Sequence, residues 1–407
     1  MTVAGLVEPG WGGVADAFAA NFDERGEVGA AVCVHHDGRK VVDLWGGVAN
    51  AASGRPWAED TIVTVFSCTK GVTAVGANLA IERGLLDPDA TVASYWPEFA
   101  AAGKEAITVR QVLSHQAGLP LVEADLSLEE ALSWEPVVTA LAAQAPLWEP
   151  GSRHGYHMRT YGWLVGELLR RTTGRTPGTF LREEVTGPHG VDFWVGLPAE
   201  QEPRVATLVP PANSLREALA PLGDSLLLAR VFANPGGHFD YDDMWNTRRL
   251  RACELPSSNG TGDARGLARL YAGCIGDGID GGDGGRVLAP PTVADATVEQ
   301  ACGPDAVTMV ASCFGLGFML GASFGAANPR SAFGHAGAGG SLAFADPGTG
   351  LAFGYVMNDL RFDTTGDPRS ETLVRAATTA AAAATPGRAE RVGDDVGDAH
   401  LGHHRDR

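Results

Sequence analysis

Lysine is nearly missing from this chain: of its 31 basic residues only Lys40, Lys70 and Lys104 are lysine, and the rest are arginine. Cysteine is sparse too. The six, Cys33, Cys68, Cys253, Cys274, Cys302 and Cys313, include no C-x-x-C pair. A zinc site or dithiol redox motif is therefore not expected, and the thiols are read as free and mostly buried. No stretch approaches the roughly 18 apolar residues of a membrane helix. Positive charge is short, with a net charge of -18. That argues against nucleic acid and against an anionic membrane surface, which both call for a basic face. The acidic surplus is read as solubility. Met1 to Gly13 has neither the basic nor the apolar region of a secretory signal, so the expected location is the cytoplasm. G-x-S-x-G is absent, which sets aside the nucleophile elbow of α/β-hydrolases.

The 407 residues leave room for one large domain or two smaller ones. Val28 to Leu44 holds two β-rich runs around Asp37-Gly38, a hairpin signal. Strand character returns at Ser341 to Asp346 and Leu351 to Asn358, and alanine-rich Arg369 to Ala384 is helical in propensity. Between them, Lys70 to Leu86, Val109 to Leu113, Leu128 to Ala143, Tyr161 to Thr173 and Ala264 to Ile275 show helical spacing. This pattern predicts an α+β chain with a discontinuous sheet lobe, 1–66 and 300–384, and a mainly helical lobe, 67–299. Residues 385–407 read as a disordered tail, and His400, His403 and His404 in it read as solvated rather than metal-binding. No metal or cofactor is expected.

Ser67-Cys68-Thr69-Lys70 is the one S-x-x-K in the chain, and lysine scarcity makes a chance occurrence less frequent. Residues three apart share a helix face, so Lys70 can reach the Ser67 hydroxyl. A serine hydroxyl is a weak nucleophile without a base. Lysine serves as that base only if burial or the helix dipole disfavours its charge. Taken alone, the spacing fits a helix N-cap beside a solvated lysine equally well. Trp148-Glu149-Pro150-Gly151 is a turn signal with Tyr156 after it. His335-Ala336-Gly337 precedes a strand, among glycines that let backbone N–H groups approach a ligand.

Together these segments resemble the serine β-lactamase and penicillin-binding-protein superfamily, in particular class C β-lactamases and the β-lactamase-like family VIII carboxylesterases. The likeness rests on Val65 to Gly71, Leu113 to Leu119, Pro150-Gly151 through Tyr156, Tyr161 to Gly174 and Gly334 to Ser341, which run in the family's order. It implies a β-lactamase-like fold, an antiparallel sheet flanked by helices with an inserted helical lobe. It implies Ser67 as acylated nucleophile, Lys70 as its proton acceptor or electrostatic partner, and Tyr156 as the tyrosine of the Y-x-N motif, with a tyrosinate beside a lysine ammonium an equally open microstate. His335 and Gly337 fall where the family has K-T-G, and the N–H groups of Ser67 and Ala338 would form the oxyanion hole. His115 is implied as a supporting residue, while His154 and His157 flank Tyr156 and His157 is taken as a pocket residue.

Two departures bear on substrate. Met158 stands in place of the Y-x-N asparagine, and a thioether cannot donate to a substrate amide. His335 stands in place of the K-T-G lysine and carries less charge at pH 7. Both weaken the case for an efficient β-lactamase. The leading expectation is a serine carboxylesterase acting on a small ester through acyl-Ser67. Alternatives are a transacylase passing the acyl group to an amine or alcohol, weak β-lactamase activity, and an inactive binding protein. Intact Ser67, Lys70 and Tyr156 argue against the last.

Overall fold

The computed structural model describes residues 3–212, 217, 219, 226–276, 285–324, 327–362 and 366–385. The expected tail, apart from Thr385, lies outside the described residues. Both ends of the chain enter one antiparallel sheet. Strands β1 (Val3–Val7), β2 (Gly29–His36), β3 (Arg39–Asn50) and β4 (Arg55–Pro56) come from its start. Strands β5 (Val63–Thr64), β6 (Phe193–Trp194) and β7 (Thr261–Gly262) make a small separate sheet in the order β5-β7-β6. Strands β8 (Ala301–Pro304), β9 (Ala311–Phe314), β10 (Met319–Leu320), β11 (Phe333–Ala336), β12 (Leu342–Asp346) and β13 (Leu351–Met357) return to the large one. Its order is β1-β3-β2-β13-β12-β11-β10-β9-β8, with β4 beside β3. The two ends meet where β13 pairs with β2, Leu351 opposite His36 and Met357 opposite Ala30. The expected hairpin joins β2 to β3 through Asp37 and Gly38, whose φ values of 48° and 76° suit a two-residue turn.

Among the described residues six helices reach ten residues: α1 (Gly12–Asp23), α2 (Cys68–Glu82), α3 (Trp134–Ala143), α4 (Thr160–Thr173), α5 (Ala264–Ile275) and α6 (Pro368–Ala384). Helices cover both faces of the sheet, which is why β13 is buried along its whole length. Successive strand residues point to opposite faces. Gly354 lies against α5, where a Cβ would come within 2.4 Å of the Ala264 carbonyl oxygen. Tyr355 points the other way and donates its hydroxyl to Glu27, a partner of Arg369 on α6. Helix α2 is buried all round from Cys68 to Ala80 and packs against α4, β11 and β12. A helix apolar on every side belongs inside a protein.

One apolar core joins sheet and helices, from Trp11 to Ala381. Helix α5, which falls within 67–299, packs on β2, β12 and β13 rather than among the helices of the middle. Two expectations are corrected. The helix read over Leu128–Ala143 is two, Leu128–Ala131 and α3. Pro136, third residue of α3, has no N–H for a continuing helix and fits only its first turn. Cys302 and Cys313 are not free thiols. Strands β8 and β9 set them opposite one another, Cα atoms 4.1 Å apart, and they are joined as a disulfide. Cys33, Cys68, Cys253 and Cys274 are free. No helix among the described residues is long and apolar enough to cross a membrane.

Candidate active site

Ser67 sits at the junction of β5 and α2, as the residue before the first turn of the helix. Phe66 before it has a φ of 47°, uncommon for a residue with a side chain. Its ring is held edge-on by Tyr241 and Trp245, both at 5.0 Å, and its carbonyl accepts from Thr69 Oγ1. Packing on both sides maintains this sparse backbone conformation. One turn along, Lys70 Nζ lies 3.1 Å from Ser67 Oγ and donates to the Ser257 carbonyl at 2.9 Å. Its ammonium position is 4.8 Å from the centroid of the Tyr156 ring.

Tyr156 lines the same cavity as Ser67, and the Ser67 hydroxyl acts on its phenol. Its backbone is fixed by Asp305, whose Oδ1 accepts from the N–H groups of Tyr156 at 3.1 Å and of Val307 and Thr308 at 2.8 Å. The other oxygen accepts from Ser312 Oγ at 3.2 Å, and Ser312 also bonds His154 Nε2 at 3.0 Å. Across the site β11 delivers His335, and a tight turn at Ala338–Gly340 follows. The Gly339 carbonyl accepts from Arg369 Nη2 at 2.9 Å, which ties this turn to α6. The N–H groups of Ser67 and Ala338 have no backbone acceptor among the described residues, and both residues line the cavity.

Burial dominates the electrostatics. It drives Lys70 well below the usual lysine range, and the positive charge of Arg159 pushes the same way. It raises the Tyr156 phenol above its usual range, against the opposing hydrogen bond to Ser67. The pair is therefore weighted toward neutral amine and neutral phenol rather than ammonium and tyrosinate. His335 is lowered to about 3 by burial and then by Lys70, so its imidazole is neutral. Its Nδ1 donates to the Ala336 carbonyl at 2.7 Å.

Ser67, Tyr156, His335, Gly337 and Ala338 open onto a cavity of about 520 Å³. The rest of its wall is largely apolar, including Met158, Phe232, Tyr241, Phe314 and Phe362. Among the described residues no lysine or arginine lines it, and Asp305, its carboxylate already engaged, is the one charged side chain. A serine hydroxyl between an amine and a phenol, facing free N–H donors, can act as a nucleophile with a proton acceptor at hand and donors for a developing negative charge.

Residues 14–378 match the β-lactamase family model. The chain belongs to the β-lactamase family. It is 36% identical over 367 residues to the esterase/β-lactamase LipL of Mycobacterium tuberculosis, covering 88% of this chain and 83% of the relative. A crystal structure of a family VIII carboxylesterase superposes with a TM-score of 0.84 at 37% identity, covering 93% of this chain and all of that one. EstA from Arthrobacter nitroguajacolicus superposes with a TM-score of 0.85 at 34% identity, covering 95% of this chain and all of that one. The β-lactamase-like fold expected from the sequence is the fold observed.

The residues the family's motifs pointed to converge, with one exception. His157 does not face the cavity: it is fully buried, its Nε2 accepts from the Leu119 N–H at 3.0 Å and its Nδ1 bonds the Gly155 carbonyl at 2.6 Å. Neither nitrogen remains for a substrate. His115 lies beneath Tyr156, ring centroids 5.2 Å apart, and accepts from the His157 N–H at 3.1 Å, a supporting position. Tyr161 is buried in α4 and does not line the cavity. Cys68 is buried with its thiol raised far from reactivity, first by burial. Asp305, Ser257, Phe66 and Arg159 went unread. Only a left-handed backbone at Phe66 or strand pairing around Asp305 would have marked them, and neither is written in local sequence.

Proposed function

We propose that the protein is a serine carboxylesterase that acylates Ser67 with a small ester and hydrolyses the acyl-enzyme with water. The observation carrying this reading is the Ser67 hydroxyl bonded to Lys70, with Tyr156 beside it, at an apolar cavity. Neutral Lys70 takes the Ser67 proton as Oγ attacks the ester carbonyl. The N–H groups of Ser67 and Ala338 hold the oxyanion. The proton passes through Tyr156 to the leaving alkoxide, which departs as alcohol. Water then enters, gives its proton back along the same route, and releases the acid. Removing one oxyanion donor in such a site typically costs about 2.7–4 kcal/mol of barrier.

The cavity favours neutral esters over β-lactams. Those substrates carry a carboxylate, and neutral His335 offers it no charge. LipL is named an esterase as well as a β-lactamase, and the family VIII structure is named a carboxylesterase. Both names support the reading.

Intact-mass spectrometry with p-nitrophenyl acetate or a phosphonate is expected to give one adduct, mapped to Ser67 and lost in Ser67→Ala. Nitrocefin should turn over far more slowly than the acetate. An unlabelled wild-type protein, or an adduct that survives in Ser67→Ala, rules the reading out. Added primary amine measures how far the acyl-enzyme passes to an acceptor other than water.

A further inference from the structure

Arg159 is a fully charged side chain buried without a counter-ion. It is 3% exposed, and among the described residues no carboxylate lies within salt-bridge distance of it. Its guanidinium donates to the carbonyls of Phe232 and Phe239, the latter at 2.9 Å, stacks over the Phe239 ring at 5.1 Å, and touches Met158 Sδ at 3.7 Å. Nε has no partner among the described residues. A buried charge normally has a paired acid, because removing an ion from water without one is costly. Carbonyl oxygens solvate this guanidinium but do not neutralise its field, and the Asp240 carboxylate offsets it only from beyond ion-pair distance.

That field falls on Lys70. Both residues lean on Ser257: its Oγ donates to the Arg159 carbonyl at 2.9 Å, and its own carbonyl accepts from Lys70 Nζ at 2.9 Å. The groups that act on Lys70 are the Ser67 hydroxyl, the Tyr156 ring, the Cys68 thiol, Arg159, and the buried neutral imidazoles of His335 and His115. None is an acid ionised at neutral pH. Those that act on Arg159 are Tyr156, Tyr241 and Asp240. Asp240 is the one acid among them, and it is not an ion-pair partner.

We propose that Arg159 is a positioning residue for proton transfer: its buried charge, held by carbonyls and not by an ion pair, keeps Lys70 in the unprotonated form that accepts the Ser67 proton. This rests on the acyl-Ser67 reading and adds to it a second source, beside burial, of a usable lysine base. A purely structural role, clamping the wall that carries Phe232 and Tyr241, is the competing account. Guanidinium stays charged across the working pH range, so the effect would not titrate away.

The two accounts separate in the pH dependence of Ser67 labelling by a phosphonate, followed in wild type, Arg159→Met and Arg159→Gln. Glutamine keeps N–H donors for the carbonyl clamp but carries no charge. The expected result is an acid-side midpoint about one pH unit higher in Arg159→Met, the order of shift a neighbouring charge produces. Labelling would then be roughly ten-fold slower at pH 6 and converge with wild type on the alkaline plateau. Arg159→Gln should move the midpoint as far as Arg159→Met even where it keeps more of the wild-type melting temperature. Coincident midpoints in wild type and Arg159→Met overturn the proposal, as does Arg159→Gln keeping the wild-type midpoint. Wild type failing to label at all overturns the acyl-Ser67 reading itself, a result distinct from either.

Discussion

The chemistry of Lys70 depends on where it is rather than what it is. In water the same side chain is charged at pH 7 and useless as a base. Here it is wholly buried, bonded to Ser67 and Ser257, and faced by no ionised acid. Proton transfer by a placed group is typically worth 10²–10⁴-fold in rate. Lys70→Ala and Tyr156→Phe are each expected to lower kcat/KM by about that factor with the circular dichroism spectrum unchanged. A near-wild-type rate in either variant would take that residue out of the mechanism. Ser67, Lys70 and Tyr156 were legible because their spacing and neighbours are local. The role of His157 was not legible, because a histidine three residues before a helix looks the same in sequence whether it bonds a backbone amide or a ligand.

Elements were legible where their periodicity was long. The sequence places α4 and α5 to within a residue, and the β2–β3 hairpin at its turn. The two-residue strands β6 and β7 were not legible, since two residues carry no period, whereas β5 lies within the β-rich run Thr61 to Phe66 that leads to Ser67. The start of α5 carries a testable cost. Asp263 caps it, accepting from the Gly266 N–H at 2.6 Å. Burial raises this carboxyl from 3.8 to about 7, with Asp192 adding to the rise, while the Gly266 bond and Arg265 oppose it. The folded state thus holds the proton more tightly than the unfolded chain does. The stability this gives is complete below about pH 4 and lost as pH rises through about 7. A shift of that size corresponds to a few kcal/mol. Asparagine caps as well as aspartate and does not ionise. Asp263→Asn should therefore raise the melting temperature clearly more at pH 8 than at pH 5. An equal change at both pH values would refute the assignment.

Across the whole molecule the site is assembled from both ends of the chain, and the pieces that join them are polar. Arg369 on α6 is wholly buried and pairs at 3.1 Å with Glu27, equally buried, just before β2. The same guanidinium bonds Asp367 at 2.7 Å, the Asp359 carbonyl at 3.0 Å and the Gly339 carbonyl at 2.9 Å, beside the proposed oxyanion donor Ala338. A discontinuous sheet lobe is an expectation the sequence supports, but it carries no sign of this clasp, because the partners lie 342 residues apart. Breaking a buried pair by removing one partner typically costs 3–5 kcal/mol, since the other charge is stranded, whereas removing both is milder. Arg369→Met should cost about that much in urea unfolding, and Glu27→Gln combined with Arg369→Met clearly less than the two single changes added. Turnover should part from stability: the double variant regains stability, but nothing again holds the Gly339 carbonyl, so its kcat/KM should stay as low as that of Arg369→Met. If activity returns together with stability, Arg369 acts on the fold alone and the turn before β12 needs no support from α6.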